Sequence, residues 1–186
     1  METPTADRQS TGGSVPFIEE KRILITAAIV LAADQISKQL VIRALGTGET
    51  KEVIEGFFRF VNWQNTGAAW SMFEGSSLPL AALSAVALIA LIKFRYHFET
   101  HTSTGKLAFG LLIGGILGNL IDRVAYQHVI DFIRFYIIRS DGTPLGYPAF
   151  NIADMGICVG VGLLFLLAWR EGTPDEEEKE ETAKES

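Results

Sequence analysis

The sequence is poor in the side chains that most often carry chemistry. It has one cysteine, Cys158, so no internal disulfide can form. That residue lies in an apolar run and reads as packing. There are three histidines. Two of them, His97 and His101, sit in HFETH, where Glu99 is one position out from the H-E-x-x-H arrangement that would hold zinc and its general base. No Lys/Arg cluster offers a surface for nucleic acid. The opening residues lack the positive start and the small-residue cleavage site of a secretory signal. They read instead as a loose polar tail. The formal net charge is −6, but the acid is concentrated at the end. DEEEKEE at 175–181 has little to bury and is expected to stay solvated and disordered.

What is present is apolar sequence in long blocks. They run from Ile23 to Leu45, from about Ser76 to Tyr96, from about Lys106 to Val124 and from about Ala149 to Trp169. Each approaches the roughly 20 residues that a helix needs to cross a hydrocarbon core. The second block is nearly pure Ala, Leu, Ile and Val and suits a lipid-facing position. The others carry polar residues, which must turn inward. Gly110, Gly114, Gly115 and Gly118 give the third block small-xxx-small spacings that permit close helix contact. Four crossings put both termini on one side. The two tails and the loop 93–106 hold nine Lys/Arg, against five in the loops 46–75 and 123–148. This bias predicts cytoplasmic termini.

The loop after the first block is more than a linker. VIEGFFRFVNW at 53–63 is rich in β-branched and aromatic residues and predicts a short strand or hairpin at the interface. Phe57, Phe58, Trp63 and Trp70 suit the headgroup level. Two readings stay open for this loop, aromatic anchoring alone or the lining of a binding site.

Polar residues within these blocks demand a reason, because charge in or near hydrocarbon is costly. Asp34 and Lys38 share a helix face, either as a structural ion pair or with Asp34 positioning part of a site. Asn65 beside Gly67 reads as a turn or as a site residue. Asn119, Asp122 and Arg123 end the third block, where Asp and Arg could simply pair at the interface. Asp131 in VIDF, with Asn151 and Asp154 in NIAD, falls at the mouths of adjacent segments. A lone acid there would be a cap or a surface charge; two are harder to dismiss. Two carboxylates close together cannot both ionise readily, so the pair shares a proton. The ionised member can take a proton from an attacking water, and the protonated one can support the oxyanion and the leaving amine. Such a reaction requires no covalent intermediate, metal or cofactor.

The series DQISK at 34–38, NTGAAWSMF at 65–73, GNLIDR at 118–123, VIDF at 129–132 and FNIAD at 150–154 resembles the bacterial lipoprotein signal peptidase (signal peptidase II) family, from about Ile23 to Trp169. The resemblance implies an aspartic endopeptidase of the bacterial inner membrane. It would remove the signal peptide of prolipoproteins just before the diacylglyceryl-modified cysteine. It implies Asp131 and Asp154 as the catalytic pair, with Asp34, Asn65, Asn119, Arg123 and Asn151 in support. Lys38 and Asp122, beside these in DQISK and GNLIDR, are added as further supporting or substrate-binding candidates. It also implies an all-α integral membrane fold with four transmembrane helices and a small extracytoplasmic β-structure, and sensitivity to globomycin-type cyclic peptides. The expected organisation is a cytoplasmic tail over 1–20, a membrane peptidase domain over 21–170 and an acidic tail over 171–186. Two departures stand out. The family more often has Phe at the place of Trp70. The stretch 138–147, IRSDGTPLGY, is longer and more polar than usual and reads as a flexible loop, with Asp141 beside Gly142 as a turn.

Rival classes are weaker. A serine–lysine protease needs Ser37 and Lys38 to meet, but neighbours on a helix point about 100° apart. An ion or solute transporter using the intramembrane acids predicts acids spread through the depth of the bilayer. Here, apart from Asp34 and Lys38, they cluster near one surface.

Overall fold

The structure, a computed structural model, describes residues 21–67, 75–95 and 102–171. The two tails, Trp70, His97 and His101 lie outside these residues. Four helices and four strands follow in the order α1 (Lys21–Ala44), β1 (Thr50–Ile54), β2 (Phe58–Asn65), α2 (Ser77–Lys93), α3 (Ser103–Tyr126), β3 (Val129–Ile138), β4 (Pro144–Gly146) and α4 (Ile152–Glu171). Helices dominate, and α1, α3 and α4 are long and apolar enough to cross a membrane. α2 is apolar but has 17 residues, or about 25 Å of helix.

The helices of this bundle turn apolar side chains outward as well as inward. On α1 the inward stripe is Ile23, Ala27, Val30, Asp34 and Lys38, at helical spacing. Outward from it point Leu24, Ile25, Ile29, Ile36 and Leu40. α4 likewise exposes Val159, Val161, Phe165, Leu166 and Trp169. Apolar surface on that scale needs a cover, and lipid is the cover that suits long helices with apolar outer faces and a buried cluster of charges.

α3 is the central helix, in contact with α1, α2 and α4. Its glycines let the neighbours approach. A Cβ on Gly114 would lie 2.7 Å from the Ala27 carbonyl oxygen of α1, and one on Gly115 would lie 2.5 Å from the Ala153 carbonyl oxygen of α4. Both obstacles are backbone and cannot rotate away. Gly115→Ala should therefore push α4 off α3, at a cost of about 1–3 kcal/mol. The measurement is the thermal midpoint of the purified protein in detergent, which should fall by several degrees. An unchanged midpoint would show that the helices are not held at this distance.

The β-structure is larger than the hairpin expected over 53–63. β1 and β2 form that hairpin, turning at Gly56, whose φ is +74°. β3 then adds on the other side of β2, and β4 pairs with β3, giving an antiparallel sheet in the order β1-β2-β3-β4. VIDF thus opens a strand rather than ending an apolar segment. The stretch 138–147 is not the flexible loop its polarity suggested. Ile138 pairs with Pro144 and Tyr136 with Gly146, closing a hairpin around Gly142, with φ +81°. Asp141 accepts from the Thr143 backbone N at 2.8 Å and from its hydroxyl at 2.6 Å, so it is a turn residue as expected.

Candidate active site

Asp154 is placed by the start of its own helix. Asn151 precedes α4, and its Oδ1 accepts from the Asp154 N–H at 2.9 Å, while Asp154 Oδ2 accepts from the Asn151 N–H at 3.1 Å. This reciprocal arrangement is a capping box, which satisfies two helix-end donors at once. A third, the Ala153 N–H, donates to Asp34 Oδ1 at 2.9 Å. The N-terminus of α4 is thereby pinned to α1.

Asp131 is placed by the sheet. It lies on β3 directly opposite Trp63 of β2. Its two oxygens accept from the side-chain amides of Asn65 at 2.9 Å and Asn151 at 2.8 Å. Asn151 thus touches both acids, Asp154 through its backbone and Asp131 through its side chain. Burial, and then the neighbouring Asp154 carboxylate, push the Asp131 pKa up to about 7. A buried acid beside a second acid holds its proton to a higher pH than a free carboxylate does.

Asn119 closes the ring. Its Nδ2 donates to Asp154 Oδ1 at 2.7 Å, and its Oδ1 accepts from Lys38 Nζ at 3.2 Å and from Asn151 Nδ2 at 3.2 Å. Behind it lies a buried charge cluster. Lys38 Nζ stands 2.7 Å from both Asp34 Oδ2 and Asp122 Oδ2. Asp34 and Asp122 are 0% exposed and Lys38 is 1% exposed. Asp34 pairs with Lys38 and also holds the start of α4. Asp34 and Lys38 do not stand apart from the other acids; all join one network. Asp122 does not pair with its neighbour Arg123 at the interface. It faces inward, where its Oδ2 also accepts from the Ile130 N–H at 3.3 Å, fixing the start of β3. Arg123 instead donates to the carbonyls of Asn119 at 3.4 Å and Gly67 at 3.3 Å, and its Nε is buried without an acceptor. Asn65 makes a turn contact as well as its contact to Asp131, because its Oδ1 accepts from the Gly67 N–H at 3.0 Å.

Ser37 turns its hydroxyl to the Asp34 carbonyl at 2.8 Å, while Lys38 points to the carboxylates, which leaves no serine–lysine pair. One member escaped the sequence reading. Gln35 donates to Asp34 Oδ2 at 3.2 Å, to Asp122 Oδ1 at 3.0 Å and to the Gly118 carbonyl at 3.3 Å. Its place between Asp34 and Lys38 in DQISK was the available signal.

Comparison with known proteins agrees with this geometry. The sequence profile of the family described as signal peptidase (SPase) II matches residues 26–170. The lipoprotein signal peptidase of Syntrophotalea carbinolica is 37% identical over 153 residues, covering 81% of this chain and 92% of that protein. That of Bacillus subtilis is 36% identical over 143 residues, covering 75% and 88%. A solved bacterial membrane enzyme superposes with a TM-score of 0.72 at 30% identity, covering 83% of this chain and 92% of its own, and a second with 0.68 at 32%, covering 82% and 95%. Matched over residues 26–170, the chain belongs to the signal peptidase II family, the aspartic proteases that remove signal peptides from prolipoproteins.

Proposed function

We propose that Asp131 and Asp154 form the catalytic pair of this peptidase and cut the amide bond just before a diacylglyceryl-modified cysteine. The observation that carries this is the arrangement of the two acids, each held by two donors, joined through Asn151 and facing a neighbour of the same charge. Asp154 sits in the first turn of α4, where the helix dipole favours an anion. Asp131, with its pKa near 7, is the member that holds the proton. Water attacks the scissile carbonyl carbon and gives a proton to Asp154, while Asp131 protonates the carbonyl oxygen. Collapse of the tetrahedral species breaks the C–N bond. The proton on Asp154 passes to the cysteine nitrogen, and Asp131 recovers its own. Both acids end as they began, with no covalent intermediate.

Asn65, Asn119 and Asn151 hold the acids, Arg123 stands ready for a substrate carbonyl, and Asp34, Lys38 and Asp122 fix the frame. α2 serves as a fourth crossing, so that both termini lie on the cytoplasmic side of the bacterial inner membrane. The domain then spans 21–170 between two cytoplasmic tails, and the site and its sheet lie at the outer face. There a lipid-anchored peptide and water can meet, and a globomycin-type cyclic peptide would compete for the same place.

The pH profile tests the assignment. Asp131 is raised relative to an ordinary carboxylate, so the pair carries its proton below about pH 7 and loses it above. Processing of a lipidated precursor should therefore decline on the alkaline side with an apparent pKa near 7. The sign for stability is the same. Whatever the neutral acid contributes is complete below the unfolded carboxylate range and is lost as the pH rises through the folded value. A rate that climbs steadily through pH 9 would remove Asp131 from the role of proton holder.

A further inference from the structure

Two arginines outside the catalytic network face each other on the sheet. Arg59 of β2 pairs directly with Arg134 of β3, and like charges in that position destabilise a sheet. One acid answers them. Glu52 Oε1 lies 3.2 Å from Arg59 Nη1, while its other oxygen accepts from the Tyr136 hydroxyl at 2.6 Å. Arg134 has no ion-pair partner among the described residues. Its guanidinium stands 4.2 Å above the Trp63 ring, Arg59 lies 4.5 Å from that of Tyr136, and the Nε atoms of both are buried without acceptors. Burial and then the Arg59 charge lower the Arg134 pKa, the mark of a cation that an added anion would relieve.

The position of the pair narrows the choice of anion. Strand alternation puts Ile54, Phe135, Ile137 and Leu145, all exposed, on one face, and Glu52, Arg59, Arg134 and Tyr136 on the other. The apolar face suits lipid, so the arginine face looks toward water, the side into which a processed polypeptide leaves. Arg134 is three residues along β3 from Asp131, or about 10 Å, and it stacks on Trp63, the cross-strand partner of Asp131. We propose that Arg134, with Arg59 beside it, binds the carboxylate of an Asp or Glu side chain lying within a few residues after the lipidated cysteine. Guanidinium and carboxylate match in charge and in planar geometry. This inference rests on the proteolytic reading above and makes the sheet a specificity element for the mature segment.

The test uses full-length enzyme in proteoliposomes and lipidated precursors carrying Asp, Asn or Lys at the three positions after the cysteine. Wild type should process the Asp series about fivefold faster than the Asn series in kcat/KM, the size of a partly exposed ion pair. The Lys series should be slowest. Arg134→Gln should collapse the Asp-to-Asn ratio to one, Arg134→Lys should keep part of it, and Arg134→Glu should favour the Lys series. Equal rates for all three series with wild type would overturn the proposal. So would an Arg134→Gln defect that ignores substrate charge and tracks the anionic lipid content of the vesicles, since the pair would then hold a lipid phosphate. Cleavage of none of the series by wild type would overturn the proteolytic reading itself.

Discussion

Asp154→Asn should abolish processing of a lipidated precursor, lowering kcat by about 10³-fold or more, because an amide cannot take the proton of the attacking water. The same loss is expected for Asp131→Asn, and the two variants should lose similar stability. At 154 the two oxygens accept from the Asn119 amide at 2.7 Å and the Asn151 N–H at 3.1 Å. At 131 both oxygens accept from side-chain amides. A new NH2 at either position faces one of those donors, and the orphaned pair should cost about 1–3 kcal/mol. The expected result is therefore two inactive enzymes that fold, each melting below wild type. Measuring precursor cleavage beside thermal unfolding in detergent separates loss of chemistry from loss of fold. A folded variant of either kind that still processes precursor at the wild-type rate would sink the two-aspartate mechanism.

The helices were legible because hydrophobic runs of that length have few other uses, and their ends were placed within a few residues. NIAD was legible as a cap, and the reciprocal bonds of Asn151 and Asp154 form one, since the residue three after Asn151 turns back toward the helix start. The glycine spacing of α3 announced the close contacts with α1 and α4. VIDF was harder. Val129, Ile130 and Phe132 are buried beside Asp131, so β3 carries no alternation at its start that would distinguish it from the end of a helix. The destination of Asp122 was hidden for another reason. Adjacent opposite charges look like a pair in sequence, yet successive helix residues point in different directions, and only the packing of α1 against α3 brings Lys38 to Asp122. The backbone donors of Ala153 and Ile130, which fix the segments carrying Asp154 and Asp131, leave no trace in side-chain identity.

Lys38→Met should be the most damaging substitution outside the proposed catalytic pair. The ammonium is shared between two fully buried carboxylates at 2.7 Å each, so the cluster already carries one more negative charge than positive. Removing the cation leaves two acids facing each other without compensation, at a cost of about 3–5 kcal/mol. The damage should reach the active site along two paths. Asn119 loses one of the two donors to its Oδ1 while its Nδ2 holds Asp154. Asp34, freed from Lys38, is also the anchor of the Ala153 N–H. The variant should fold poorly, and whatever folds should process precursor slowly rather than not at all, because neither catalytic acid is gone. Neutralising the cluster distinguishes this account from simple loss of volume. Lys38→Met combined with Asp122→Asn removes one positive and one negative charge, leaving Asp34 with Gln35 as its donor, and should recover much of the lost stability. A pair of substitutions whose costs merely add would show that the two residues are uncoupled, and Lys38 would then be a packing residue rather than the charge that holds both catalytic segments in place.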